Sequence, residues 1–456
     1  MSHADKDALI VLLFGVLAEM EARLNALEHQ VDKNSKNSSK PPSSDGLKKG
    51  AAQPRTRGAK PSGGQPGHGG SNRQLSASPD EVLVFRPTGQ CSCGLALDTL
   101  DAILVERRQQ IDIPPPRAHI TEYQKWGVQC RCGQYHAGVF PDGIAPHVSY
   151  GARLKAYAVG LVQGHFVALE RVAEILDDQY GIRPSSGSLQ KWVVQVAEHL
   201  RPAYDAQCPT ITGAEVAHFD ESGIRVNGQL QWLHVAATDS AVHYSTHPKR
   251  GTKGMDAAGI LPAFTGIAVH DCWQPYWHYP DISHALCNAH LLRELNYVDQ
   301  LTGQAWPVAL RNVLVDGKKA VKAALEAGQT LLAQETLATL ENRYDAQITL
   351  GLEAFPVSPP VAGKRGRTKQ HPATNLLLRL KTHKEAILRF LTDWRVPFDN
   401  NRAERAVRCI KVKLKVTGGF RASGGSQAFC IIRSIWETNK LHHQNPFDTL
   451  RVAFGG

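Results

Sequence analysis

Two apolar runs, 216–226 and 230–237, flank Asn227-Gly228, and no other feature of the 456-residue chain constrains its fold as tightly. Asn-Gly supplies both left-handed residues of a two-residue hairpin turn, so the runs are expected to pair antiparallel. Asp239-Ser240 then turns the chain into a third strand, 241–246. A helix over about 254–262 and a fourth strand, 266–270, complete a β-β-β-α-β order.

That order is the opening of a ribonuclease-H-like fold, in which the first and fourth strands are neighbours. Asp220 lies midway along the first strand and Asp271 at the end of the fourth, so their carboxylates can converge. A strand carboxylate that is buried costs several kcal/mol unless it is paired or bound to metal. Glu221, next to Asp220, points to the opposite face. Glu221, Asp256, Asp281 and Glu294 are the competing acids. A third carboxylate is expected from a later helix, and Phe398-Asp399-Asn400-Asn401-Arg402-Ala403-Glu404 supplies it. Asn400 or Asn401 caps that helix and Glu404 falls one turn inside. Three such acids suit two Mg²⁺ (or Mn²⁺) ions roughly 3.5–4 Å apart, the arrangement of metal-assisted phosphodiester cleavage and transesterification.

Around this core the chain changes character several times. Ile10, Leu13, Leu17, Met20, Leu24, Leu27 and Val31 alternate steps of three and four, a coiled-coil seam over 1–31 that favours self-association. Residues 32–78 are rich in Ser, Gly and Pro. They carry Lys36, Lys40, Arg55 and Arg57 among other cations, a linker that can lie along phosphates. Residues 79–150 hold Cys91-Ser92-Cys93-Gly94 and Cys130-Arg131-Cys132-Gly133, with strands expected at 81–85, 103–111 and 118–128. Two thiolate pairs suit tetrahedral Zn²⁺, although each knuckle is one residue shorter than the usual Cys-x2-Cys. Residues 151–212 read as helical. Helices at 168–176 and 188–200 around Gly181 and Pro184 suit a helix-turn-helix or a plain hairpin, with Ser185 or Ser186 as cap.

The core's first part spans 213–300, with a fifth strand at 283–287 and a helix from about Asn288. Cys287 and His290 provide two ligands, an incomplete metal site, and His290 and Arg293 are expected to face the active site or DNA. Trp273, Tyr276 and Trp277 either stack on an unpaired base or pack under the fifth strand. Residues 301–396 form a helical insertion with a basic loop at Lys364, Arg365 and Arg367. Residues 397–456 return to the core. There Arg405, Arg408, Lys411 and Lys413 make a candidate phosphate track beside Glu404, with Asn401 supporting it. The glycine-rich turns near 418 and 424 match no nucleotide fingerprint, and a final helix is expected over 427–440.

The bulk numbers agree with a DNA partner without requiring one. Lys and Arg number 52 against 42 Asp and Glu, and the formal net charge is +10. Of the nine cysteines, the four in tight pairs read as metal ligands in a reducing compartment, and the other five are scattered singly. The apolar run near the N-terminus is too short to span a bilayer and lacks a basic start. The expectation is therefore a cytoplasmic, nucleoid-associated protein with no membrane partner.

Taken together and in order, several segments resemble the insertion-sequence-66 family of bacterial transposases. They are residues 34–46, the four-cysteine module, Asp220-Glu221-Ser222, and His270-Asp271 with Trp273 and Tyr276. Cys287-x-x-His290-x-x-Arg293 and residues 400–408 complete the set. The resemblance spans nearly the whole chain and departs from the family in the short cysteine spacing. It implies a multidomain α+β protein with a zipper-like start, a zinc-finger-like module, a ribonuclease-H-like core and a helical insertion before the last acid. It carries the catalytic roles of a DDE transposase onto Asp220, Asp271 and Glu404. Double-stranded DNA (element ends and target) is then the substrate, and a homo-oligomer and accessory proteins of the same element are candidate partners. The residues alone leave open a structure-specific nuclease on the same fold, or a DNA-binding regulator with a disused site.

Overall fold

The computed structural model describes residues 6, 12–17, 20, 73–141, 144, 148–360 and 368–456. Of the zipper-like seam, Leu13, Leu17 and Met20 are described, helical and exposed. The other seam positions, the basic linker and the loop with Lys364, Arg365 and Arg367 lie outside the described residues, as do Lys36, Lys40, Arg55 and Arg57. The described residues fall into two compact units, one of 73–121 with 179–181 and one holding the remainder.

The smaller unit corrects the expected strands at 81–85 and 103–111, which form no strand and have no ladder partners. Val82, Phe85, Ile103 and Val105 are all exposed, so nothing there buries the apolar face that a strand needs. The larger unit keeps only the end of the expected 118–128 strand. It pairs as β1 (Gly127–Gln129) with β2 (Tyr135–Ala137), antiparallel.

The larger unit is mixed α and β around a five-stranded sheet. Its strands are β3 (Val216–Val226), β4 (Gln229–Ala237), β5 (Val242–His247), β6 (Ile267–His270) and β7 (Ser283–Leu286). Their order is β5-β4-β3-β6-β7, with β3, β4 and β5 antiparallel in turn and β6 and β7 parallel to β3. Asn227 (φ 50°) and Gly228 (φ 72°) make the hairpin turn that their dipeptide calls for. The expected helix at 254–262 is shorter, ending at Ala257 and resuming as a 3-10 turn at Leu261–Ala263, because Gly259 turns left-handed between them.

Before the sheet come α1 (Ala152–Val159), α2 (Leu169–Tyr180), α3 (Ser186–Asp205) and α4 (Gln207–Thr212). Ser185 caps α3, its hydroxyl accepting the Ser188 N–H at 3.1 Å. The apolar stripe of α3 (Leu189, Trp192, Val193, Val196, Leu200) is buried, and Gln190 and Lys191 remain exposed. After α5 (Thr252–Ala257) and β7 come α6 (Asn288–Thr302), α7 (Ala305–Glu326), α8 (Gln334–Ala354), α9 (Pro372–Thr382) and α10 (Lys384–Thr392). The residues read as an insertion do not build a separate core. One apolar cluster runs from Val269 and Leu286 in the sheet, through Leu291 and Leu295 of α6, to Leu310, Tyr344, Leu377 and Phe390.

The chain closes with α11 (Asn401–Thr417), α12 (Ser423–Leu441) and α13 (Pro446–Ala453). Val407 and Ile410 of α11 pack with Ile224, Leu233 and Val235 of the sheet. Beyond α11 the chain returns to β3, where Phe420 N–H donates to Arg225 O and Asn227 N–H to Phe420 O, both at 2.8 Å. Gly419 permits this approach, since a Cβ there would lie 2.6 Å from Arg225 O.

Candidate active site

The register of β3 and β6 fixes two acids. Val216, Ala217 and His218 lie opposite Ile267, Ala268 and Val269 in parallel pairing, and Asp220 and Asp271 each follow two residues beyond the end of that ladder. Glu404 comes from the first turn of α11, which packs across β3. Burial pushes the Asp220 carboxyl well above its ordinary range, and the charges of Glu221, Asp271 and Glu404 push it the same way. Only the Glu221 N–H, donating to Asp220 Oδ1 at 2.8 Å, works against them among its hydrogen bonds. Lys411, two turns beyond Glu404, feels the Asp220 charge, though burial is the larger influence and lowers its amine's pKa. Asp271 and Glu404 thus both act on the buried Asp220 carboxyl, Glu404 from a helix that packs across β3.

Asn400 holds the arrangement. Its side chain is buried, donating from Nδ2 to Phe219 O at 2.8 Å and facing His218 Nδ1 through Oδ1 at 2.9 Å. Its N–H donates to Cys287 Sγ at 3.2 Å. One residue therefore ties the start of α11 to β3 beside Asp220 and to the β7–α6 junction. Sequence reasoning gave this supporting role to Asn401, which is exposed and instead donates its N–H to Asp399 Oδ1 at 3.2 Å. Nothing in the sequence distinguishes the two asparagines, because the choice depends on which one meets β3.

Asp271 sits at a sharp bend. Its Oδ1 accepts the Trp273 N–H at 3.0 Å, and Cys272 adopts φ 70° while donating its N–H to His270 Nδ1 at 3.1 Å. A non-glycine left-handed residue at that point is strained, and His270, fully buried and stacked on Tyr276 at 4.3 Å, anchors the bend. Tyr276 is buried and Trp277 stacks on His383 at 3.9 Å, so of the two readings of these aromatics the packing one fits. Arg379 of α9 pairs with Glu294 of α6 and feels the charge of Asp271, so the inserted helices bring a cation to the site's edge.

Glu221 answers a different need. Its side chain is 1% exposed and is held by Arg250 (2.6 Å) and by the Tyr276 hydroxyl, which donates to Oε2 at 2.7 Å. Even so, burial and the Asp271 charge raise its carboxyl to about 7. The Arg250 guanidinium lies 3.8 Å from the Trp273 ring centroid. Arg250 was missed in the sequence, where it falls in a loop without a motif.

His290 and Cys287 both face Glu404. Cys287 Sγ is 3.5 Å and His290 Nδ1 3.6 Å from Glu404 Oε1. Burial lowers the His290 pKa, the Arg293 charge adding to it. Arg293 itself turns back, donating from Nε to Ala289 O at 3.2 Å. Arg405 and Arg408 are exposed along α11 and Lys411 is half-buried. Lys413 departs from the expected phosphate track: it is buried, its ammonium 5.2 Å from the Phe420 ring centroid and 5.8 Å from that of Phe429. Its position on α11 turns it to the apolar interior, a periodicity that its charge concealed.

The two cysteine pairs fold alike. Cys91 N–H donates to Leu95 O and Gly94 N–H to Cys91 O, and Cys130 and Gly133 repeat the pattern with Gln134 O and Cys130 O. All four thiols are free and exposed. Hydrogen bonds from Cys93 and Cys132 lower the pKa of the Cys91 and Cys130 thiols. Among the described residues no helix is long and apolar enough to cross a membrane.

Comparison with known proteins bears on this arrangement. Residues 3–74 match a family of unknown function. An uncharacterized protein of Sinorhizobium fredii is 24% identical over 390 residues, covering 78% of this chain and 70% of that protein. Residues 147–428 match the family described as Transposase IS66 family. That match takes in more than half of the chain and all of Asp220, Asp271, Cys287, His290 and Glu404, and by it the chain belongs to the IS66 family of transposases.

Proposed function

We propose that this chain is a DDE transposase of a bacterial insertion sequence, built on a ribonuclease-H-like core. It binds the element's ends, cleaves a phosphodiester there and joins the freed 3′-hydroxyl to target DNA. The observation that supports the reading is a buried Asp220 on β3, acted on by the charges of Asp271 after the neighbouring parallel strand β6 and of Glu404 on the helix packed across β3. The sheet order and the helix crossing β3 support the fold assignment.

The donor set fits a hard divalent cation, since it offers carboxylate oxygens that repel one another until a positive charge joins them. A pair of Mg²⁺ or Mn²⁺ ions, when bound, would activate the attacking oxygen and stabilise the leaving one. Asn400 fixes where Glu404 starts on β3, and the Cys272 bend fixes Asp271. Exposed Arg405 and Arg408, with Lys411, are suited to backbone phosphates beside the acids, and Arg402 supplies a further cation at the helix start. Lys36, Lys40, Arg55, Arg57, Lys364, Arg365 and Arg367 are proposed as further phosphate contacts. Each of the two Cys-x-Cys turns, taken by itself, presents a pair of exposed thiols of the kind that a structural Zn²⁺ takes as ligands. Self-association and accessory proteins of the element belong to the same proposal.

The test is cleavage of an element-end duplex with Mg²⁺ by Asp220→Asn, Asp271→Asn and Glu404→Gln, beside an end-binding assay. The expected result is lost cleavage with binding retained. Loss of binding in all three would reject these roles, and cleavage without strand transfer would favour a nuclease.

A further inference from the structure

Cys287, His290 and Glu404 present one sulfur, one nitrogen and one oxygen within 4.8 Å of one another. The sequence offers only the first two as neighbours, three residues apart across the start of α6, and the fold adds the third from α11. We propose that these three side chains form a binding site for a borderline-soft divalent cation of the zinc class, and that a cation held there competes with the catalytic use of Glu404. The second part rests on the reading of Glu404 as catalytic; the first does not.

The spacing supports coordination. Tetrahedral bonds of about 2.0–2.3 Å to zinc set donor atoms roughly 3.3–3.7 Å apart along the edges of the tetrahedron. Glu404 Oε1 lies 3.5 Å from Cys287 Sγ and 3.6 Å from His290 Nδ1. The second distance is too long for a hydrogen bond, and His290 Nδ1 is a buried atom with no hydrogen-bond partner. A buried ring nitrogen that faces a carboxylate at 3.6 Å without a hydrogen bond of its own is placed to take an ion. Three protein donors leave a fourth position for water, as in open zinc sites. On binding, the Cys287 thiol proton passes to solvent and the sulfur coordinates as thiolate, with no change in oxidation state.

The donor chemistry also separates this site from the carboxylate trio. Sulfur and nitrogen select zinc or cobalt over magnesium, whereas the oxygen-only set selects magnesium or manganese. Glu404 is common to both, so a zinc-class ion engaging Oε1 draws its charge away from Asp220 and Asp271. Zinc is therefore expected to oppose Mg²⁺ in cleavage.

Co²⁺ titration of the full chain tests the site, because cobalt bound to thiolate gives a charge-transfer band in the near ultraviolet. The four paired cysteines contribute equally to every chain compared, so the difference from the wild type isolates Cys287. Cys287→Ser should lose one equivalent of tight Co²⁺ and the matching part of the band. His290→Gln, which keeps the thiol, should weaken that equivalent by more than tenfold. Unchanged stoichiometry and spectrum in both variants overturn the site. Cleavage by the wild type with Mg²⁺ should fall at least tenfold on adding stoichiometric Zn²⁺ beyond that taken by the paired cysteines, and undiminished cleavage overturns the competition. A chain that binds this cobalt equivalent but never cleaves DNA would instead refute the proposed function and leave the site standing.

Discussion

Asp220 and Glu221 are adjacent in one strand and carry the same charge, yet the two faces of β3 treat them in opposite ways. Glu221 enters a closed cage, with Arg250 and the Tyr276 hydroxyl both hydrogen-bonded to it. Asp220 feels the charges of Glu221, Asp271 and Glu404, and among the described residues it forms no ion pair. A protein that buries a carboxylate for stability surrounds it with donors; one that reserves it for a cation leaves it among its own kind. Under the proposed function that difference separates a caged acid from one left for a cation, although composition and spacing rank them equally.

Cleavage assays should show the largest divergence. Asp220→Asn is expected to cut the Mg²⁺-dependent rate by roughly 10³-fold or more, the loss of several kcal/mol of charge stabilisation. Glu221→Gln, which keeps the size and one acceptor for Tyr276, should stay within about tenfold of the wild type. Equal losses in the two would erase the distinction between the faces.

A third kind of buried ionisable group sharpens the comparison, since it has neither cage nor cation. His243 of β5 is buried and stacked on Tyr204 at 4.4 Å, and burial alone lowers it to about 4. A depressed folded-state pKa means that its stabilising contribution is complete above the unfolded value near 6.5 and is lost as pH falls through about 4. The change is on the order of 3 kcal/mol across that window. Urea titrations of His243→Phe should show a shallower loss of stability between pH 6.5 and 4. An unaltered slope would mean that other groups set the acid limit.

Metal removal probes the open face at slightly smaller scale. Where Mg²⁺ binds the carboxylate trio, a concentration of 100 times its Kd stabilises the fold by about 2.7 kcal/mol. Thermal unfolding should register this in the wild type and not in Asp220→Asn. Without metal, Asp220→Asn should be at least as stable as the wild type, because it removes a buried charge repelled by its neighbours. A loss of stability there would place Asp220 in a role like that of Glu221.

Which of these features the sequence disclosed follows from how local they are. β3 begins and ends at the residues that alternation and Asn227-Gly228 define, because a hairpin turn and its flanking strands are neighbours in the chain. The adjacency of β3, which carries Asp220, and β6, which Asp271 follows, was legible for the same reason, since strand period and strand order suffice for it. The metal-like grouping of Cys287 and His290 with Glu404, the choice of Asn400 over Asn401 and the inward turn of Lys413 all depend on α11 landing on β3. No local pattern encodes that landing. The expected strands of the cysteine module failed for the opposite reason, since Val82–Phe85 has strand composition but no second surface to pack on.

The closed face offers the finest test, because its charges are already satisfied and only their partner can be withdrawn. Arg250→Met keeps the stem that lies over Trp273 and removes the cation, leaving Glu221 with Tyr276 alone. Breaking a fully buried pair costs about 3–5 kcal/mol, but the Arg250 side chain is 35% exposed, so about 2 kcal/mol is expected at pH 8. Glu221 already has a raised folded-state pKa, near 7, so its protonated form favours folding: stability is fullest below about 4.5 and declines as pH rises through 7. Removing Arg250 raises that pKa further. The penalty should therefore shrink at pH 5.5, where Glu221 is protonated with or without its partner. Adding Glu221→Gln to Arg250→Met should recover much of the loss at pH 8, since no charge is then left to bury. A penalty that is independent of pH and survives the double substitution would assign the Arg250 contribution to its stacking on Trp273 rather than to the cage around Glu221.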